Sequence, residues 1–249
     1  MKFIDSVWDK NQHVSTMKFM VKQLIVLVII MPGVILKAAE ILPPLNAESK
    51  LTLKLEADEV AIFGYGSLMN VNELERPVDD PYTGPFIMAR LKGFWRSWSA
   101  QYPNHSNFID EEGRYFKPRT VTYLNIEPHE NSKVNGVLFV CSREELELYD
   151  FRESSYDRIR INDYLEEVVV LGGAAYAYTA KPENFQPTEE LEPWQTVISF
   201  WYIDIIEEAL ETLGENFSDE FNESTQPLPE WLVYEKGVLM PFSSPFIAK

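Results

Sequence analysis

Val60-Ala-Ile-Phe-Gly-Tyr-Gly-Ser-Leu-Met69 decides how this chain is read. Its first four residues are wholly apolar and rich in β-formers, which predicts a short strand buried on both faces. The strand runs into Gly64-Tyr65-Gly66-Ser67, where two glycines flank an aromatic residue and a small hydroxyl follows. Glycine admits positive φ and lets other groups approach the backbone closely. A turn of this kind can aim consecutive N–H groups at one point, a nest for a carboxylate or a developing oxyanion. The same turn also suits a plain strand-to-loop junction that holds no ligand.

Working outward, composition narrows the classes. The 249 residues fit one ordinary domain with an appendage, or two small domains, and 45% hydrophobic with 13% aromatic content supplies a packed core. A net charge of −17 excludes a phosphate-neutralising nucleic-acid binder. From Pro182 to Glu235 acidic residues recur without a single Lys, Arg or His, which reads as a solvated face. Cys141 is the only cysteine and lies in the strand-like Val137-Leu-Phe-Val-Cys, a core position rather than a nucleophile. The three histidines, His13, His105 and His129, have no metal-ligand spacing. Neither a metal nor a cofactor is expected, so chemistry falls to carboxylates, hydroxyls and backbone.

Residues 1–53 read as an N-terminal extension and 54–249 as the globular domain. Within the extension, Leu24–Leu36 is free of charge but short of the roughly twenty residues a membrane span needs, and Pro32-Gly33 interrupts it. Its length and basic flank suit a signal-peptide core with Met17 or Met20 as the start; a buried or surface-docked helix is the competing reading. Membrane contact is expected only through this run. Pro43-Pro44 onward to Lys54 reads as a linker.

In the domain, Phe86–Ala100 follows a strand pattern, and Thr120–Ile126 and Val134–Val140 read as strands joined at Asn131-Ser-Lys by a hairpin. Ser142 with Glu145 forms a capping-box pattern opening a short helix. Leu165–Leu171 and Ala174–Ala180 read as a second hairpin across Gly172-Gly173. Pro193–Leu213 reads as the one long helix, with Val197, Trp201, Ile205 and Leu213 on its core face. About six strands and a few helices without βαβ alternation predict an α+β fold. Its sheet is expected to be mixed, mostly antiparallel and curled toward a small barrel with flanking helices.

Phe63-Gly-Tyr-Gly-Ser-Leu68 and the later Tyr149-Asp-Phe-Arg-Glu-Ser-Ser-Tyr156 together resemble the gamma-glutamylcyclotransferase family. Gly214, Phe217, Phe221 and Thr225 echo its closing helix, and the likeness spans roughly Val60 to Pro227. The resemblance implies release of 5-oxoproline from a γ-glutamyl amine or peptide without a metal. The substrate's own α-amino group attacks its γ-carbonyl. It further implies Glu153 as general acid/base, the amides of Tyr65, Gly66, Ser67 and Leu68 as donors, and Tyr178 as a pocket-lining residue. The partner is then a small γ-glutamyl molecule and the compartment the cytoplasm, with export or anchoring through residues 17–39 as the alternative. Glu153-Ser-Ser-Tyr lacks the glycine often found before the tyrosine in the glutathione-specific branch, so the leaving group stays open. The oligomeric state is not read from sequence. Competing readings are a surface Glu153 paired with Arg152 or Arg158, Asp150 or Asp157 as the proton carrier, Ser67 as a covalent nucleophile, and a non-catalytic γ-glutamyl-binding module.

Overall fold

The computed structural model describes residues 39–43, 50–192 and 194–237, all within the compact unit 37–249. The apolar run Leu24–Leu36, and the targeting reading built on it, lie outside the described residues. Among the described residues no helix is long and apolar enough to cross a membrane.

In chain order the elements are β1 (Glu40–Leu42), β2 (Leu51–Lys54), β3 (Glu59–Gly64), α1 (Val71–Val78), β4 (Phe86–Pro103), β5 (Asn107–Ile109), β6 (Tyr115–Phe116) and β7 (Thr120–Ser142). Then follow α2 (Arg143–Arg152), β8 (Tyr156–Arg160), β9 (Val168–Leu171), β10 (Ala175–Ala180), β11 (Thr196–Ser199), α3 (Phe200–Leu213), α4 (Glu215–Glu223) and β12 (Val233–Gly237). The main sheet runs β6-β5-β12-β11-β7-β3-β10-β8 with β4 against β7, and a smaller sheet runs β1-β2-β9. Antiparallel pairings outnumber parallel ones. The fold is α+β with a mixed, mostly antiparallel sheet whose strand path does not close into a barrel among the described residues.

β3 sits between β7 and β10, and its apolar run is continuous because both faces are covered. Ala61 and Phe63 enter the large core on one side; Val60 and Ile62 enter a second core with Leu74, Phe139, Leu146 and Tyr149 on the other. Burying each such Ile or Phe contributes about 1.5–3 kcal/mol. The strand is thereby clamped on four sides, and so is the turn at its end.

Four sequence expectations are corrected. Asn131-Ser-Lys does not form a hairpin, because β7 is one continuous strand paired to β4 on both sides of it. His129–Ser132 bulge out opposite Gly93, with Asn131 absorbing the excess at φ 64. That bend lets one half of β7 pair with β3 and the other with β11. Gly172-Gly173 turns the chain, but β9 pairs with β2 and β10 with β3 and β8. The glycines there switch the chain from one sheet to another, and a Cβ on Gly172 would lie 2.3 Å from the Leu55 carbonyl oxygen. Leu51–Lys54, read as the end of a linker, is the strand β2. The long helix begins at Phe200, not near Pro193, which lies outside the described residues; Thr196–Ser199 is a fully buried strand between β7 and β12. Pairing on both edges overrides helical spacing for these β-branched residues. The helical face shifts accordingly to Tyr202, Ile205, Ile206 and Ala209, leaving Trp201 half exposed.

Candidate active site

At the end of β3 the two glycines act through close approach. Neither takes a positive φ. A Cβ on Gly64 would lie 2.6 Å from the Leu68 carbonyl oxygen, and one on Gly66 would lie 2.7 Å from the Tyr202 hydroxyl. The chain therefore folds tightly into a single 3₁₀ turn, Ser67–Met69, with the Met69 N–H donating to the Gly66 carbonyl at 2.9 Å. Its N-cap is Gly66, so among the described residues no side-chain cap bonds its N-terminal amides. Leu68 and Met69 anchor the turn in the two cores.

The other wall comes from α2. Its capping box forms as expected, with the Ser142 hydroxyl accepting from the Glu145 N–H and the Glu145 carboxylate accepting from the Ser142 N–H. Leu146 and Tyr149 pack this helix on β3, and Glu153 is its C-terminal cap. The Glu153 N–H donates to the Tyr149 carbonyl at 2.8 Å, and its own carbonyl accepts from the Tyr156 N–H at 2.8 Å. With backbone on both sides bonded, the carboxylate is held where helix turns into β8.

Between these walls lies a cavity of about 550 Å³. Tyr65, Gly66, Ser67, Leu68, Glu153 and Tyr178, as many as 113 residues apart in sequence, all line it. The Tyr178 carbonyl accepts from the Tyr65 hydroxyl at 2.7 Å, and its own hydroxyl donates to Asp150 at 2.9 Å. Asp150 is further engaged by Arg158, and Asp157 is exposed on β8; neither lines the cavity. The rival proton carriers are thus outside it. Ser67 Oγ accepts from Arg152 at 3.2 Å, and a guanidinium is no general base. No histidine lines the cavity.

The Glu153 side chain is 15% exposed. Burial raises its pKa above the ordinary carboxylate value; Arg152 pulls it down and the Glu73 charge pushes it further up. The pairing with Arg152 is real, Nε to Oε1 at 3.1 Å, but it is shared: the same guanidinium bonds Glu73 at 3.0 Å, and Arg76 bonds both Glu73 oxygens. A surface ion pair does not describe this site. Two carboxylates and two guanidiniums form a closed network against the turn.

Sequence reasoning did not assign Glu73, Tyr123, Tyr156 or Tyr202 to the site and named Arg152 only as a surface partner of Glu153; all five line the cavity. Tyr123 was legible as the large residue on an alternating strand, and Tyr202 at the head of the closing helix. Burial raises the pKa of Tyr65, Tyr156 and Tyr202, which keeps these hydroxyls protonated as donors. Among the described residues no three His, Cys, Asp or Glu side chains converge on a metal position.

No family model matches the chain, and no curated protein sequence does. Solved structures resembling it include a gamma-glutamyl cyclotransferase at 16% identity, covering 69% of this chain and 90% of that one, with a TM-score of 0.46. An uncharacterized Homo sapiens protein resembles it at 17% identity, 69% and 90% coverage and a TM-score of 0.45. A yeast gamma-glutamyl cyclotransferase specific to glutathione does so at 14% identity, 68% and 97% coverage and 0.41. These are distant likenesses, and the reading of the site rests on its own geometry.

Proposed function

We propose that the chain is a gamma-glutamyl cyclotransferase, releasing 5-oxoproline from a γ-glutamyl amine or peptide with Glu153 as general acid/base. The observation carrying this is one cavity that holds a largely buried carboxylate, Glu153, within the Arg152–Glu73 network and shares its lining with the amide turn. The reaction needs little else. Nucleophile and electrophile belong to one molecule, so catalysis begins with folding that molecule into attack geometry. Glu153 takes a proton from the α-ammonium as the nitrogen attacks the γ-carbonyl carbon. The amides of Tyr65, Gly66, Ser67 and Leu68 donate to the developing oxyanion. As the tetrahedral centre collapses, the bond from the γ-carbon to the departing nitrogen breaks and Glu153 returns the proton to that nitrogen. The ring nitrogen gives its second proton to the released amine, and the ring closes as 5-oxoproline. A carboxylate whose pKa lies above the usual range suits both transfers.

The test is incubation with a γ-glutamyl panel and identification of 5-oxoproline by mass. Glu153→Gln, isosteric and uncharged, is expected to lower kcat by roughly 10²–10⁴ while the protein stays folded by circular dichroism. Release at the wild-type rate by that variant would remove Glu153 from the chemistry. Binding of γ-glutamyl ligands with no product from any panel member would leave the binding-module reading in its place.

A further inference from the structure

The cavity changes character from its floor to its mouth. Its floor is polar and closed, built from the amide turn, Glu153 and the tyrosines. Its mouth carries large apolar side chains left in water: Phe151 is 84% exposed, Trp201 50% and Leu148 43%, and all three line the same cavity as Glu153. Leu148 and Phe151 lie one turn apart on the last part of α2. Trp201, on the first turn of α3, lines the same cavity, and the Arg76 guanidinium, 5.1 Å from its ring centroid, braces the indole. Contiguous exposed apolar groups of this size are uncommon on a soluble surface and mark a contact site. Their continuity with the cavity points to whatever emerges from the cavity as the contact.

We propose that the mouth is a subsite for a bulky apolar or aromatic leaving group, so that the preferred substrates are γ-glutamyl amides of hydrophobic amino acids. This rests on the cyclotransferase reading for its orientation. A γ-glutamyl group carries an ammonium and a carboxylate, which match the floor's carboxylates, guanidiniums and amides. Only the substituent on the amide nitrogen is then left to reach Leu148, Phe151 and Trp201. A small or strongly polar substituent leaves those side chains in water. An aromatic one covers them and removes its own apolar area from solvent.

The experiment compares γ-glutamyl-phenylalanine with γ-glutamyl-glycine, by turnover on the wild type and by calorimetric binding to Glu153→Gln. The expected result is a kcat/KM ratio of about tenfold or more in favour of the phenylalanine compound, the size a hydrophobic subsite provides. The same preference is expected in Kd. Phe151→Ala, on an exposed position at a helix end, is expected to shrink both ratios several-fold. Equal handling of the two compounds, or a preference unaffected by Phe151→Ala, overturns the subsite. If neither compound is turned over, the wider γ-glutamyl panel decides the cyclotransferase reading by itself. The binding ratio then decides the subsite, standing if the phenylalanine compound binds tighter through Phe151 and falling if it does not. A self-association that dissolves on Phe151→Ala, with no ligand preference, also overturns it by making the mouth an interface between copies.

Discussion

Arg96 and Arg152 are both guanidiniums inside the fold, and they are solved in opposite ways. Arg96, on β4, is fully buried and makes no hydrogen bond to a carboxylate. It donates to the Asn135 carbonyl, to Thr225 Oγ1 at 2.7 Å and to the Phe221 carbonyl at 3.4 Å, and stacks 4.0 Å from the centroid of the Phe221 ring. Its Nε has no hydrogen-bond partner among the described residues, and burial pushes its pKa down to about 9. Arg152, 23% exposed at the end of α2, is instead wrapped by Glu73 and Glu153. The first joins three segments distant in sequence through neutral acceptors, at the cost of a buried charge. The second keeps a carboxylate pair together while leaving water and ligand access to it. One is built for the fold, the other for the cavity.

Removing Arg96 is the most damaging way to test that contrast. Arg96→Met fills much of the volume yet strands the Asn135, Phe221 and Thr225 acceptors in a buried site. The expected loss is on the order of 3–5 kcal/mol, the cost of breaking a buried charged network from one side. For a chain of this size that is roughly a 10 °C fall in Tm by calorimetry. The folded fraction should keep its turnover per active molecule. An unchanged Tm would mean that the burial penalty and the lost bonds cancel, and Arg96 would cease to be a fold-building residue.

The contrast also explains what was legible in sequence. Val60–Phe63 announces a buried strand because every residue of it is apolar, and the Ser142–Glu145 cap announces α2 because capping is local chemistry. Gly64 and Gly66 mark a close approach, and the structure supplies what approaches. The failures share one cause. Asn131, Gly172 and Thr196–Ser199 carry local signals for hairpins and a helix, but strands far away in sequence, β4, β2 and β12, claim their edges. Arg96 reads as one more charge in an alternating strand; only Thr225 and Asn135, brought in from elsewhere, make it a core residue. For the site, Glu153 was reached through a resemblance. Glu73 was invisible, and Arg152 was read only as a surface partner of Glu153, because the network they share exists only once α1 and α2 meet.

A smaller effect is expected at the turn. In Gly66→Ala the new methyl would sit 2.7 Å from the Tyr202 hydroxyl. That hydroxyl cannot simply swing away, because the ring packs edge-on against Tyr123 with centroids 4.7 Å apart and against Trp98 at 6.3 Å. Overpacking of this kind costs about 1–3 kcal/mol and moves the amides it is attached to. Gly66→Ala is therefore expected to lose turnover as well as stability. Adding Tyr202→Phe removes the colliding oxygen, and the double variant should recover part of both, a coupling visible in a double-mutant cycle. Strict additivity would show that Tyr202 does not set the position of the turn.

The mildest change in stability, and the most informative in pH, is Arg152→Gln. Glu73 keeps Arg76 as a partner, so the stability cost is expected to be about 1 kcal/mol near neutrality. Glu153 loses the one group that lowers its pKa, leaving burial and the Glu73 charge to raise it further. If its ionised form starts the reaction, the acid limb of the kcat/KM profile must move to higher pH. The sign for stability follows from the same shift. A carboxyl whose folded pKa is raised favours folding below its unfolded pKa, and that contribution is lost as pH rises through the folded value. The deficit of Arg152→Gln against wild type should therefore be larger at pH 8 than at pH 5, where Glu153 can take up a proton. Thermal melts at the two pH values measure the second effect and initial rates across pH the first. An acid limb that stays in place would separate Arg152 from the acting carboxylate and reduce it to a second structural arginine.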